Sequence, residues 1–505
     1  MNVSAGIVAR LADHAASFPD RIALEGNGER LSYAQLANAV DNLAAQLQRN
    51  RIRVLGLALD NRPAWAICDL AALAARVTLV PLPAFFSAVQ TRHALADAGV
   101  QTVISDRPDH FLQQTGGQLE ATAFWEIDGI PFTRLDTGFV PAQIPTDIAR
   151  ITYTSGTTGT PKGVMLTWRH IEPVVRDLVD AVGVQGGDRL LALNPLGVLL
   201  ENIGSVLVPI WAGATGVLPS LNDTGLQGAS GLDGHRMAVL LATQRANAAI
   251  FMPQTLLGVV EALEDTATRL PDLRFAAVGG ASVSTRLLAR AEAVGIPVFE
   301  GYGMSECASV MCLNRPGGHR PGSVGKPLPH LQMRALPDGD IQVRRGSVAA
   351  YLGDPALPPS DWWSTGDLGR FDDDGYLYLR GRRRNAFITA FGRNVSPEWV
   401  ETELTLEPAI AQAAVFGEAR KFNVAVLVAS DRGNRDAIAR AITHAVRRAN
   451  ASLPDYARIG AWVIAEEAFT PANGLLTGTG RVRREAIYNA HRDALEHLYR
   501  EDPHA

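Results

Sequence analysis

The stretch ITYTSGTTGTPKGVMLT, Ile151 to Thr167, contains a segment from Ser155 to Gly163 built of Gly, Thr, Ser, Pro and a single Lys. The apolar residues on either side, Ile151 to Tyr153 and Val164 to Leu166, predict a strand, an irregular loop and a second strand. Gly156, Gly159 and Gly163 let the backbone turn and approach a ligand closely. The N–H groups this exposes, with the hydroxyls of Thr154, Ser155, Thr157 and Thr158, suit a phosphate chain. Lys162 adds a mobile positive charge. It is one of three lysines, with Lys326 and Lys421, among 47 basic residues. Arg and Lys are not interchangeable at a tight charged site, so a retained lysine is informative. The GxxxxGK[ST] pattern fails here: counted from Gly156, Pro161 stands where the second Gly belongs and Gly163 where the Mg²⁺-binding hydroxyl belongs. The loop is not that of a P-loop NTPase.

Elements able to position such a loop recur along the chain. LSYAQLANAVDNLAAQLQRN carries apolar residues at helical spacing behind a Ser32 cap, whereas VLGLAL and VTLVPLP read as short buried strands. The alternation continues for about 380 residues and predicts layered α/β sheets. The texture changes at GRRRN, Gly381 to Asn385. Ser396-Pro397-Glu398 then opens a helix, with a strand NVAVLVAS and a helix DAIARAITHAVRRAN beyond. In that helix Ile438, Ala441, Ile442, Ala445, Val446 and Ala449 are expected to line one face. LEDTATRLPD and LGDPALPPSDWW read as surface loops. The expected division is a large α/β N-terminal domain, residues 1–384, and a small mobile α+β C-terminal domain, residues 385–505. With 505 residues, 47% of them hydrophobic, two cores are affordable. A net charge of -5 offers no basic patch for nucleic acid. Cys68, Cys307 and Cys312 form no CxxC pair and lack metal-ligand spacing, which suggests a reducing, cytoplasmic setting without structural zinc. The N-terminus shows no signal-peptide core. The longest apolar run, Ile203 to Pro219, is interrupted by Pro209 and several glycines and is too short to span a membrane.

YTSGTTGTPKGVMLT closely resembles the phosphate-loop signature of the adenylate-forming superfamily, which includes acyl-CoA synthetases, luciferases and nonribosomal-peptide adenylation domains. Further motifs follow in the family's order. VGGASVS contains Gly280 and Ala281 and resembles the adenine-side strand and turn. EGYGMSE runs from Glu300 through Gly301, Tyr302 and Gly303 to Ser305 and Glu306. STGDLG holds Asp367, GRRRN holds Arg382, and FGRNVSPEWVE and NGLLTGTGRVRR complete the set. The resemblance covers roughly residues 20 to 490.

That resemblance implies roles by position. Glu306 would ligate the Mg²⁺ of ATP, and Ser305 would hydrogen-bond the α-phosphate. Tyr302 would lie against adenine, while Asp367 and Arg382 would hold the ribose. The reaction implied is attack of a carboxylate on the α-phosphorus, release of pyrophosphate, and displacement of AMP by the thiol of CoA or of a phosphopantetheinyl acyl carrier protein. The hinge would be Arg384-Asn385. Three departures from the family pattern stand out. Arg481 replaces the lysine of the last motif, Asn385 replaces the usual hinge Asp or Lys, and Val198, Leu199, Leu200 and Glu201 replace an aromatic or His gate to the acyl pocket. The aspartate that amino-acid-activating members place early in the pocket to hold the ammonium is not identified in this sequence. Asn473 to Thr477 resembles the long-chain acyl-CoA synthetase version of the final motif and points to a medium- or long-chain fatty acid, with an aryl acid as the other candidate. Two further readings stay open: a nucleotide-binding relative with impaired catalysis, supported by Arg481 and Asn385, and an adenylating enzyme that forms a lactone or amide.

Overall fold

Helix Tyr33–Arg49 begins at a reciprocal cap. The Ser32 hydroxyl accepts from the Gln35 N–H, and the Gln35 side chain accepts from the Ser32 N–H. Its apolar stripe, with Leu36, Val40, Leu43 and Leu47, is buried. The runs VLGLAL and VTLVPLP form Val54–Ala58 and Thr78–Pro81, which pair in parallel with nearly every residue buried. The computed structural model describes residues 6–115, 120–127, 129–154, 161–227, 231–354, 361–431, 433–477 and 480–500.

These two strands lie in an eight-stranded sheet. It runs from Ala350–Tyr351 through Lys162–Thr167, Ile148–Thr154, Thr78–Pro81, Val54–Ala58 and Thr102–Ser105 to Ile130–Asp136 and Glu120–Ile127. A nine-stranded sheet carries Val298–Met304, Phe275–Val278, Ala248–Phe251, Arg189–Leu191, Thr215–Val217 and Ile22–Gly26 as a parallel series. One apolar cluster joins both sheets through the helices Tyr33–Arg49, Pro63–Ala75 and Trp168–Val182. Crossover helices cover the faces of parallel strands, which is why these strands read as continuous apolar runs. Met333–Ala335, Asp340–Arg344, Trp362–Phe371 and Leu377–Arg382 build a smaller antiparallel sheet.

Beyond it, Ile410–Phe416, Asn423–Ala429 and Ile459–Ile464 form a three-stranded sheet. Helix Pro397–Thr405 and helix Arg435–Ser452 pack into the same core. In the second helix Ile442, Ala445, Val446 and Ala449 are buried and Ile438 partly so, but Ala441 is exposed. The buried stripe is narrower than the apolar pattern, because a single methyl at the stripe's edge gains little from burial. LEDTATRLPD is not wholly a loop, since its first three residues complete helix Pro253–Asp265. LGDPALPPSDWW falls partly outside the described residues.

This C-terminal unit is held against the rest by buried carboxylates. Glu403 accepts from Ser284 at 2.6 Å and from Ser452 at 3.0 Å. Glu407 is 2% exposed and pairs with Arg286 at 3.0 Å and Arg448 at 2.5 Å. Leu406, between them, joins the apolar cluster around Leu287 and Leu288.

A second buried polar cluster anchors the short helix Leu199–Asn202. Arg150 ion-pairs with Asp69 and donates to Asn202 Oδ1 at 2.7 Å, while Asn202 Nδ2 donates to Asp69 Oδ2 at 2.9 Å. All three side chains are buried. Removing one partner leaves a buried charge unpaired, which costs about 3–5 kcal/mol, whereas replacing the whole set with apolar groups costs far less. Arg150→Met is therefore expected to destabilise the protein by about that amount in urea unfolding, with a large share recovered in Arg150→Met/Asp69→Leu. Equal losses in both variants would contradict this account.

Candidate active site

Ile148–Thr154 and Lys162–Thr167 pair antiparallel with Thr154 opposite Lys162, so the ends of the Gly/Thr loop are held side by side. Ser155, Gly156, Thr157, Thr158 and Gly159 lie outside the described residues. Lys162 is half exposed. Its ammonium is 5.0 Å from the Tyr351 ring centroid and 3.6 Å from Asp354 Oδ2. His93 contacts the Pro161 carbonyl at 2.9 Å, bracing the residue before the lysine.

Strand Val298–Met304 brings Glu300, Gly301, Tyr302 and Gly303 to the same cleft and turns through a 3₁₀ turn, Ser305–Cys307, into Ser309–Leu313. The return is unusually close. A Cβ on Gly303 would lie 1.5 Å from the Ser309 carbonyl oxygen, and Ala308 and Ser309 have φ of 53° and 91°. Backbone strain at non-glycine residues is tolerated where the surrounding structure enforces it, typically at functional sites. Here it presents Ser305 and Glu306 on the cleft wall. Glu306 Oε1 accepts from the Tyr351 hydroxyl at 2.5 Å. Glu300 is buried and receives the Gly322 N–H at 2.8 Å, and burial pushes its carboxyl up to about 7.

Asp367 and Arg382 face each other across paired strands, with Arg382 Nε 2.8 Å from Asp367 Oδ1. The Tyr302 hydroxyl donates to Asp367 Oδ2 at 2.5 Å. Burial raises the Asp367 carboxyl above its ordinary value against the opposing pull of Arg382 and Tyr302. Each carboxylate oxygen keeps a lone pair for a further donor. Gly280, with φ of 81°, and Ala281 border the cleft on the opposite wall. Arg481 reaches that wall from the other end of the chain, donating Nη2–H to the Gly280 carbonyl at 3.3 Å. Its guanidinium is held below the usual arginine value by desolvation and by neighbouring Arg382. Arg383 is exposed and pairs with Asp338 and Asp340, and Arg384 is exposed beside the cleft. Asn385 donates Nδ2–H to Glu398 Oε1 at 2.5 Å, a bond that an aspartate could not offer.

Part of the cleft is apolar, with Phe85, Phe86, Val198, Leu199, Ile250 and Val310 on its walls. Glu201 does not join the gate. It is 1% exposed and turned inward, accepting from Asn194 Nδ2 at 2.7 Å and Ser205 Oγ at 2.6 Å. An acid on one turn of a helix next to two leucines cannot be told from a gate residue by spacing alone. Tyr351 and Asp354 are site neighbours that no motif marks, because the edge strand Ala350–Tyr351 and the turn after it are remote in sequence from Lys162 and Glu306.

Burial also pushes the Glu201 carboxyl up to about 7. A folded-state value raised above the ordinary carboxylate range contributes stability that is complete below that range and is lost as the pH climbs through 7. The ceiling is roughly 1.4 kcal/mol per unit of displacement. Glu201→Gln, neutral throughout, is expected to lose less thermal stability than the parent between pH 5 and pH 8. Parallel melting curves across that range would contradict this assignment.

Comparison with known proteins agrees with the geometry. Residues 11–348 match the AMP-binding enzyme family and residues 385–503 the AMP-binding enzyme C-terminal domain. The chain is 27% identical to a long-chain-fatty-acid–CoA ligase, FadD15, of Mycobacterium bovis, over 87% of this chain and 86% of that protein. In fold it is similar to the anthranilate CoA ligase AuaEII in complex with anthranoyl-AMP, with a TM-score of 0.80, 21% identity, and coverage of 98% of this chain and 99% of that one. It is also similar to the o-succinylbenzoate coenzyme A synthetase MenE of Bacillus subtilis in complex with ATP and magnesium ion, with a TM-score of 0.71, 24% identity, and coverage of 94% and 98%. No described helix is long and apolar enough to cross a membrane. A family match over most of the chain, together with a cleft lined by residues of these motifs, places the protein in the AMP-binding enzyme family, as an adenylate-forming enzyme of the AMP-forming acid–CoA ligase type.

Proposed function

We propose that the chain activates an apolar monocarboxylic acid, a medium- or long-chain fatty acid, as its acyl-adenylate and transfers the acyl group to the thiol of CoA. The observation that carries this reading is the convergence of Arg481, Glu306, Lys162 and the Asp367–Arg382 pair on one cleft whose other end is apolar. Every lining residue from 81–86, 194–200, 250–255 and 309–313 is uncharged. A second carboxylate or an ammonium group on the substrate would find no counter-ion there, and burying it unpaired is expensive.

In this reading Asp367 accepts from the ribose hydroxyls through its remaining lone pairs, with Arg382 and Tyr302 fixing its orientation. Lys162 balances the phosphates. Arg481 stabilises the charge that builds as the carboxylate oxygen bonds the α-phosphorus and the bond to the leaving pyrophosphate breaks. The CoA sulfur then bonds the acyl carbon and AMP departs. Magnesium favours one or two carboxylates plus phosphate oxygens and keeps several waters. Glu306 fits it, because Oε1 is bonded to Tyr351 while Oε2 accepts no bond among the described residues. When bound, the ion neutralises the triphosphate. We place the domain boundary between 384 and 385, with Arg384-Asn385 as the hinge that lets residues 385–505 rotate between the two steps. The impaired relative is disfavoured by Lys162, Glu306, Asp367 and Arg382, which a decayed site would have little reason to keep together in one cleft.

Pyrophosphate release is expected with octanoate or palmitate, with weaker or no release on benzoate and succinate, and consumption of CoA in step with it. Silence with every acid would overturn the reading. Release without CoA consumption would point to a carrier protein, a hydroxyl or an amine as acceptor. Arg481→Ala is expected to lower pyrophosphate release about 100-fold, the usual scale for losing one transition-state donor. Arg481→Lys, which keeps the charge, is expected to recover most of that loss. Lys162→Ala is expected to impair nucleotide turnover, and a silent result would remove Lys162 from the site.

A further inference from the structure

Tyr351 touches both charged groups that face the phosphate end of the cleft. Its hydroxyl donates to Glu306 Oε1 at 2.5 Å, and its ring lies 5.0 Å from the Lys162 ammonium. This placement is built by the backbone. The two-residue strand Ala350–Tyr351 adds to the edge of the eight-stranded sheet, with Tyr351 opposite Val164 and Ala350 opposite Met165. On either side of it, the Ala349 N–H donates to the Glu306 carbonyl at 2.7 Å and the Leu352 N–H donates to the Gly163 carbonyl at 2.8 Å. The strap therefore ties the turn that bears Glu306 to the strand that begins with Lys162, and Tyr351 is its side-chain link. Asp354, at the end of the strap, pairs with the same lysine at 3.6 Å.

We propose that Tyr351 is a positioning residue for the magnesium–triphosphate: its hydroxyl occupies one oxygen of Glu306 and leaves Oε2 aimed for the cation, while its ring holds Lys162 over the phosphate path. This inference rests on the functional reading above. Occupying Oε1 also limits Glu306 to a single oxygen for the ion. That suits an octahedral cation that keeps its waters better than a bidentate grip does. The ring contact supplies a cation–π attraction that water does not fully compete away at a half-buried site.

The test is calorimetric binding of ATP to the full-length protein, without acid or CoA, across a MgCl₂ series. Tyr351→Phe keeps the ring and loses only the hydroxyl. It is expected to raise the magnesium concentration at half-saturation of the enhanced binding about tenfold, the scale of one hydrogen bond to a charged group. Tyr351→Leu, which also removes the ring, is expected to weaken magnesium-free ATP binding several-fold as well. Melting temperatures of both variants, read alongside, separate this role from a packing role, which would lower stability without moving the magnesium midpoint. An unchanged midpoint in Tyr351→Phe overturns the assignment to Tyr351 alone. A parent protein whose ATP binding does not respond to magnesium overturns it together with the functional reading.

Discussion

Glu403 and Glu407 are buried at the junction between the two parts of the molecule, and each draws a partner from across it, Ser284 for one and Arg286 for the other. A buried carboxylate tolerates its loss of water only while such partners stay in place. The junction is therefore specific in orientation. Leu406 adds apolar contact between them, but the geometry comes from the charges. With the junction closed, Arg481 stands at the Gly280 carbonyl, and the cleft has its second wall.

Inside the cleft, a few close backbone approaches set the positions of the side chains. Gly303 cannot carry a side chain against the Ser309 carbonyl, and the positive φ of Ala308 and Ser309 pays for that proximity with strain. Glu306 leaves the turn at a fixed angle as a result, and the Ala349 N–H caps its carbonyl. Asp367 gains its direction from Arg382 on the neighbouring strand and from Tyr302 on another sheet. The apolar end of the cleft contrasts with this. It is shaped by apolar side chains, and Asn194 on its wall bonds to the buried Glu201 behind it.

Several elements were legible before folding because their cause is local. The Ser32 cap and the stripe behind it predict Tyr33–Arg49, and Ser396-Pro397 predicts the start of Pro397–Thr405. The strand runs VLGLAL and VTLVPLP are legible because burial on both faces demands apolar residues at every position. Where the cause is not local, reading failed. Ala441 looked like part of a buried face and is exposed, and Glu201 looked like part of a gate and is turned inward. Both outcomes depend on which neighbour packs against the helix, and local periodicity carries no record of that neighbour.

The sequence by itself determined the chemistry available. A Gly/Thr loop with a scarce lysine follows from residue type and spacing, and the ordered series of motifs ending in Arg481 follows from the resemblance to the adenylate-forming superfamily. Only the tertiary structure decided which groups meet. Tyr351 reaches Glu306 and Lys162 through an edge strand of two residues, Asn385 is bonded to Glu398, and Arg481 crosses to Gly280. Hydrogen bonds and ion pairs act over a few ångströms of space, and chain position says nothing about such distances until the sheets and the junction have formed.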